Sequence, residues 1–255
     1  MRIAQNTFLV SGGGSGLGAA SARMVAANGG NIIIADRDKA RGSEVAHELG
    51  KCALFVETDV TDEASVQDCI RAGTERFGTI RAAVNCAGIA PAERVVGKSG
   101  PHVLANFRRT IEVNLVGTFN VLRLAAHAMS TLEPLASGER GVIVNTSSVA
   151  AFHGQVGQAA YAASKAGVIG MTLPIAREFA QLGIRVMAIA PGIFDTAMMQ
   201  GMNPDLRASL TQQIVFPPRF GKPEEFAALV KHIVENEYLN GDVIRLDAAV
   251  RMGAT

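Results

Sequence analysis

Tyr161 and Lys165 stand four residues apart in the segment Ser148–Lys165, SVAAFHGQVGQAAYAASK, whose other side chains are mostly small and apolar. Residues i and i+4 share a helix face, so the phenol and the ammonium point the same way. A free phenol, with a pKa of about 10, is a poor base at neutral pH, and a nearby ammonium favours the phenolate. The pair is therefore a candidate general acid/base, able to take an alcohol's proton or return one to a carbonyl. Ser148 sits upstream at the end of a predicted strand, where its hydroxyl can hold the same substrate oxygen. Tyr-x-x-x-Lys alone has a plainer reading, a surface tyrosine lying on a lysine stem. Its weight comes from the rest of the chain.

The stretch SGGGSGLG, Ser11 to Gly18, leaves a short apolar strand and enters a helical segment. Glycines in such a turn let backbone N–H groups approach a pyrophosphate, and the helix N-terminus favours its charge. A flexible linker is the alternative, but strand, turn and helix occur in the required order. The spacing Gly12, Gly16, Gly18 departs from G-x-G-x-x-G. Asp36 ends the second predicted strand, eighteen residues after Gly18. A carboxylate there accepts from the adenosine ribose hydroxyls and repels a 2′-phosphate, which favours NAD. Arg37 argues the other way, since a guanidinium could grip that phosphate.

These residues need a frame. Predicted strands are Thr7–Val10, Asn31–Ala35, Ala53–Glu57, Ile80–Asn85, Gly141–Ser147, Ile184–Ala190 and Val243–Asp247. They lack alternation, so they read as buried on both faces of a parallel sheet, with helices between them. Thr61 is the expected cap of one helix, with Asp62 and Glu63 in its first turn. The expected fold is α/β: a single Rossmann-type doubly wound domain over residues 1–255, with a seven-stranded parallel sheet. The 255 residues are 48% hydrophobic and 18% charged, with a net charge of +1. That balance gives no footprint for nucleic acid or an anionic membrane, and no apolar run is long enough to span a bilayer. Three cysteines without metal-type spacing suit a reducing cytoplasm. From the apolar run close to the N-terminus no presequence is expected, and no metal site is expected.

Together these motifs resemble the short-chain dehydrogenase/reductase family over the full length. The family's T-G-x-x-x-G-x-G appears as Ser11 to Gly18, its N-N-A-G as Asn85-Cys86-Ala87-Gly88, and its catalytic Asn as Asn114 in IEVNLVGTFN. The catalytic Ser stands thirteen residues before the Tyr, which selects Ser148 over Ser147. Within the family, the chain is most similar to enzymes that oxidise short and branched 3-hydroxyacyl-CoA esters with NAD. The resemblance implies catalysis by Ser148, Tyr161, Lys165 and Asn114, with Ser148 and Tyr161 meeting the substrate. It implies NAD contacts from Gly12, Ser15, Gly16, Leu17, Gly18, Asp36, Asp59, Val60, Cys86, Ala87, Gly88, Tyr161, Lys165, Pro191, Gly192, Phe194 and Thr196. Asp59 would meet the adenine amino group and Thr196 the nicotinamide carboxamide. Asn114 would support Lys165 through water. The family also implies a homotetramer built on the helices carrying Asn114 and Tyr161 together with the last strand and helix. The segment AYAASKAGVIGMTLPIA, apolar around most of its circumference, agrees with that.

Two stretches depart from the resemblance: residues 90–107, and His153 where an acid is expected. Residues 193–220 are long for a connection and read as a substrate lid made apolar by Phe194, Met198, Met199, Met202 and Phe216. These side chains equally suit a core. Arg94, Lys98 and His102 could meet CoA phosphates or be ordinary solvated charges. Two further readings stand beside the leading one: a family member acting on another apolar ketone or steroid, and a non-catalytic NAD-binding scaffold.

Overall fold

The structure is a computed structural model that describes residues 1–196, 199 and 203–254. The strands are β1 (Thr7–Ser11), β2 (Asn31–Asp36), β3 (Ala53–Glu57), β4 (Ala82–Asn85), β5 (Val96–Gly97), β6 (Gly100–Pro101), β7 (Gly141–Thr146), β8 (Ile184–Pro191) and β9 (Val243–Leu246). The helices are α1 (Gly16–Ala27), α2 (Lys39–Leu49), α3 (Glu63–Phe77), α4 (Leu104–Ile111), α5 (Gly117–Ser130), α6 (Ala159–Phe179), α7 (Pro204–Gln212) and α8 (Pro223–Glu235). Seven strands form one parallel sheet in the order β3-β2-β1-β4-β7-β8-β9. The winding direction reverses between β1 and β4, which opens a crevice at their carboxyl ends.

All seven predicted strands form, each within two residues of its expected ends. β1, β4, β7 and β8 are buried along their whole length, as continuous apolar runs require. The edge strands β3 and β9 are only half-buried, because each has a neighbour on one side alone. One face of the sheet packs Phe8, Val10, Ile32 and Ile34 against α1, α2 and α8. The other packs Leu9, Ile33, Ala83 and Ile143 against α3, α5 and α6.

One local feature differs from the sequence expectation, and two others were not addressed by it. The cap of α3 is Asp62, whose carboxylate accepts from the Ala64 N–H at 3.0 Å. Thr61 instead donates its hydroxyl to the Asp59 carboxylate at 2.7 Å, so the helix begins one residue later than expected. A π-helical turn, Glu112–Val116, joins α4 to α5. Within residues 90–107, β5 and β6 form an antiparallel hairpin.

In the expected lid, Leu210, Ile214 and Phe220 form a small core with Val149 and Val250, and Met199 packs against it. Phe216 is 79% exposed and takes no part in that core. Met198 and Met202 lie outside the described residues. The Phe194 ring is buried edge-on against Phe226, with centroids 6.5 Å apart and planes at 86°. Phe226 has no exposed surface, and both rings belong to the sheet's core. Phe226→Ala is therefore expected to cost about 3–5 kcal/mol of stability, read as a lower denaturant midpoint with an unchanged slope.

Candidate active site

The glycine turn is set by close backbone approach. Gly12 has φ 67°, and a Cβ there would lie 2.6 Å from the Ala87 nitrogen. A Cβ at Gly18 would lie 2.1 Å from the Gly12 oxygen. The turn thus sits directly on the Cys86–Ala87 backbone and on the start of α1. Ser15 is the N-cap of α1 and makes no side-chain capping bond among the described residues. The first N–H groups of α1 therefore face the crevice as donors for an anion. Gly16, at φ 52°, lies under Thr196, whose Cγ2 would be 3.3 Å from an added Cβ. Leu17 turns inward onto the core.

Asp36 flanks this turn. Its two carboxylate oxygens accept from the Gly14 N–H at 2.8 Å and the Asp38 N–H at 2.9 Å. Each oxygen retains acceptor capacity, enough for a ribose diol. The Arg37 guanidinium lies 3.6 Å from the Asp59 carboxylate. Burial alone would raise the Asp59 carboxyl, but the Thr61 hydrogen bonds and the charges of Arg37 and Arg109 hold it below the usual range. Val60 is buried, and its carbonyl accepts from Asn120. This donor and acceptor set fits a dinucleotide along the carboxyl ends of β1, β2 and β3.

The second group of residues gathers at the ends of β4 and β7. Ser148 caps a short 3₁₀ turn, its Oγ accepting from the Ala150 N–H at 3.1 Å. The Lys165 Nζ donates to the Thr146 carbonyl at 2.8 Å and lies 5.9 Å from the centre of the Tyr161 ring. The Ser147 Oγ donates to the Lys165 carbonyl at 2.8 Å, which pins α6 to the end of β7. Ser147 thus anchors the helix, while the Ser148 hydroxyl is close enough to the Tyr161 phenol to influence its titration. Asn114, in the π turn, is fully buried. Its side chain accepts from the Ile89 N–H and donates to the Ile89 carbonyl, both at 2.8 Å, and also donates to the Ser164 Oγ at 3.1 Å. Asn114 thereby clamps the loop after β4 and is tied to α6 one residue before Lys165.

The electrostatics differ from the sequence expectation. Burial raises the Tyr161 phenol above its ordinary value, and the Ser148 hydrogen bond offsets this only in part. Burial also lowers the Lys165 ammonium to about 8. Burial thus disfavours the ammonium and the phenolate alike, so the charge expected to favour the phenolate is itself weakened in this pocket. Burial raises the Cys86 thiol to about 11, so this residue is a neutral wall of the site, with its Sγ 3.5 Å from the Thr146 Oγ1.

Other residues lie as follows. Pro191 ends β8, and Gly192 packs on the Asp247 backbone. The buried Phe194 ring serves the core. Gly88 lies beside Asn114 and Lys165, 3.2 Å from the Oδ1 and 3.6 Å from the Nζ if given a Cβ. His153 is half-buried. His102 is held by its own loop, its Nδ1 being 3.2 Å from the Glu93 carbonyl, whereas Arg94 and Lys98 are exposed. Glu93, which sequence reasoning passed over, organises that loop.

A glycine-turn cradle beside a Ser–Tyr–Lys centre is the arrangement of a dehydrogenase, and the chain belongs to the short chain dehydrogenase family, whose model matches residues 6–207. It is an oxidoreductase. It is 51% identical over 246 residues to the 3-hydroxyacyl-CoA dehydrogenase type-2 of Bos taurus, covering 96% of this chain and 94% of that protein. The Drosophila melanogaster protein of the same name is also 51% identical, covering 96% of each. The crystal structure of 3-hydroxyacyl-CoA dehydrogenase type-2 from Mycobacterium avium superposes with a TM-score of 0.94 at 42% identity, over 98% of this chain and 97% of that one.

The lowered Lys165 value has a consequence for stability. Between about 8 and the ordinary 10.5, the unfolded chain still holds a proton that the folded chain has released. Stability from this group therefore rises with pH across that window and is lost as pH falls through the folded value. Denaturant unfolding should show the stability of the unmodified protein rising relative to Lys165→Met over that range. A flat difference would contradict the burial.

Proposed function

We propose that the protein transfers hydride between NAD and a secondary alcohol, a short or branched 3-hydroxyacyl-CoA. The observation that carries this is the meeting of Ser148, Tyr161 and Lys165 beside the glycine turn. The names of these similar proteins support the substrate class. Gly12, Ser15, Gly16, Leu17 and Gly18 would hold the pyrophosphate, Asp36 the adenosine ribose, and Asp59 and Val60 the adenine. Cys86, Ala87, Gly88, Pro191, Gly192 and Thr196 would line the nicotinamide end, with Phe194 taking part only through its main chain, since its ring lies in the core. NAD supplies the carbon that accepts hydride. The rest is done by the chain's own groups.

In oxidation, the Tyr161 Oη takes the proton of the substrate hydroxyl. The Ser148 Oγ donates to the same oxygen and fixes its place. Lys165 would hold the ribose hydroxyls of NAD through its Nζ; with these acceptors added to the Thr146 carbonyl, the ammonium would be favoured and would pull the phenol down. Asn114 holds the loop after β4 against α6, so Gly88 and Lys165 keep their separation. Oxidation should rise with pH as the phenol titrates.

Assembly as a homotetramer belongs to the same reading. Val116, Phe119 and Leu173 are 40%, 45% and 44% exposed on the helical segments flanking Asn114 and Tyr161. Such a run of apolar side chains suits burial against another copy. The free thiols of Cys52, Cys69 and Cys86 suit a reducing cytoplasm.

Two results test the proposal. Tyr161→Phe keeps ring and packing but deletes the acid/base group, so kcat with 3-hydroxybutyryl-CoA should fall by about 10²–10⁴, with little change in NAD affinity. Near-normal turnover would refute the mechanism. For the cofactor, the Asp36 carboxylate should make NAD preferred over NADP in kcat/KM, and Asp36→Ala should narrow the gap. Equal values in the unmodified protein would reject the assignment of Asp36.

A further inference from the structure

An open groove of about 530 Å³ lies between the β5–β6 hairpin and the turn before α6, lined by Arg94, Val95, Val96, Gln155, Val156 and Ala162 among others. Ala162 directly follows Tyr161, so the groove's inner end reaches the helical turn that carries the phenol. Its outer wall has little packing of its own, since Val95 and Val96 are 64% and 76% exposed. A wall so exposed keeps its place only through polar ties.

Glu93 provides them. Its N–H donates to the Gly157 carbonyl at 2.9 Å, joining the two sides of the groove. Its carboxylate accepts from the Val103 N–H at 2.7 Å and from the Asn106 Nδ2 at 2.8 Å. Val103 is the N-cap of α4 and has no side chain able to cap. Glu93 thus supplies from ten residues away the acceptor and negative charge that the helix start requires. His102 closes the loop: its ring lies against Glu93, and its N–H donates to the Val95 carbonyl at 2.9 Å.

Building on the proposed activity, we infer that Glu93 is a positioning residue, which holds the hairpin and α4 so that the groove can seat the carrier arm of an acyl thioester. The arm's methylenes match Val95, Val96, Val156 and Ala162. Its phosphates match the exposed Arg94, the groove's charged group. The groove leads from the surface to the helix of Tyr161, which is the path such an arm must follow for its acyl end to react.

The test measures calorimetric binding of acetoacetyl-CoA to the NADH-loaded protein together with steady-state kinetics. Glu93→Ala should raise both Kd and KM about tenfold, with kcat within about twofold and NAD affinity unchanged. Glu93→Gln, which keeps the acceptor for Val103, should recover much of the loss. Arg94→Gln should weaken the CoA ester while sparing the N-acetylcysteamine thioester, which has no phosphates. Unchanged binding in Glu93→Ala, a fall in kcat with KM unaltered, or equal losses for both thioesters in Arg94→Gln would overturn the inference. Binding that behaves as expected without NADH formation from 3-hydroxybutyryl-CoA would sink the proposed activity and leave the groove assignment standing. Absence of binding to the unmodified protein would sink both.

Discussion

Lys165 is 4% exposed, and its Nζ donates to a main-chain carbonyl at the end of a central strand. Removing an ammonium from water is costly unless acceptors replace the water. Much of the site's architecture follows from providing them and from keeping other groups out of the way. β7 must end so that the Thr146 carbonyl points at α6. Gly88 leaves room beside the lysine and Asn114, since a Cβ there would sit tight against the Asn114 Oδ1, at 3.2 Å. The Ser147 and Ser164 hydroxyls and the Asn114 amide tie β7, α6 and the loop after β4 together around the lysine.

That burial shapes the proton chemistry. The pocket that places Lys165 under Tyr161 also disfavours both charged forms, the ammonium and the phenolate. Neither group alone can make the other reactive while the pocket holds only its own acceptors. In the proposed function, a ribose beside the lysine would change the balance, because added acceptors would favour the ammonium, and the ammonium would then favour the phenolate. Activation of the proposed base would thereby be linked to cofactor binding, while burial alone keeps the phenol protonated.

Much of this was legible in the sequence, for physical reasons. Strands buried on both faces leave unbroken apolar runs, so all seven were readable, while the half-buried β3 and β9 look alike in sequence but lie at the edges. The glycine turn was readable because close backbone approach admits no other residue at Gly12 or Gly18. The cap of α3 was misplaced because Thr61 and Asp62 are both good caps, and only Asp59 decides between them. The π turn at Asn114 left no mark, since Glu-Val-Asn-Leu-Val suits an α-helix equally well. Glu93 was missed because it caps a helix ten residues away, beyond any local pattern. The burial that disfavours the Tyr161 phenolate without cofactor was not legible, because a charge four residues away is visible in sequence and desolvation is not.

The linkage between lysine and phenol can be observed directly. The chain has no tryptophan and two tyrosines, and Tyr238 is 97% exposed. In Tyr238→Phe, the near-ultraviolet phenolate absorbance therefore reports Tyr161 alone. Without cofactor, that absorbance should appear only above the ordinary phenol value of 10.0. Saturation with NAD should move the titration to lower pH, and Lys165→Met should abolish the movement. A phenol that titrates below its ordinary value in the cofactor-free protein, or one that NAD leaves unmoved, would contradict the account.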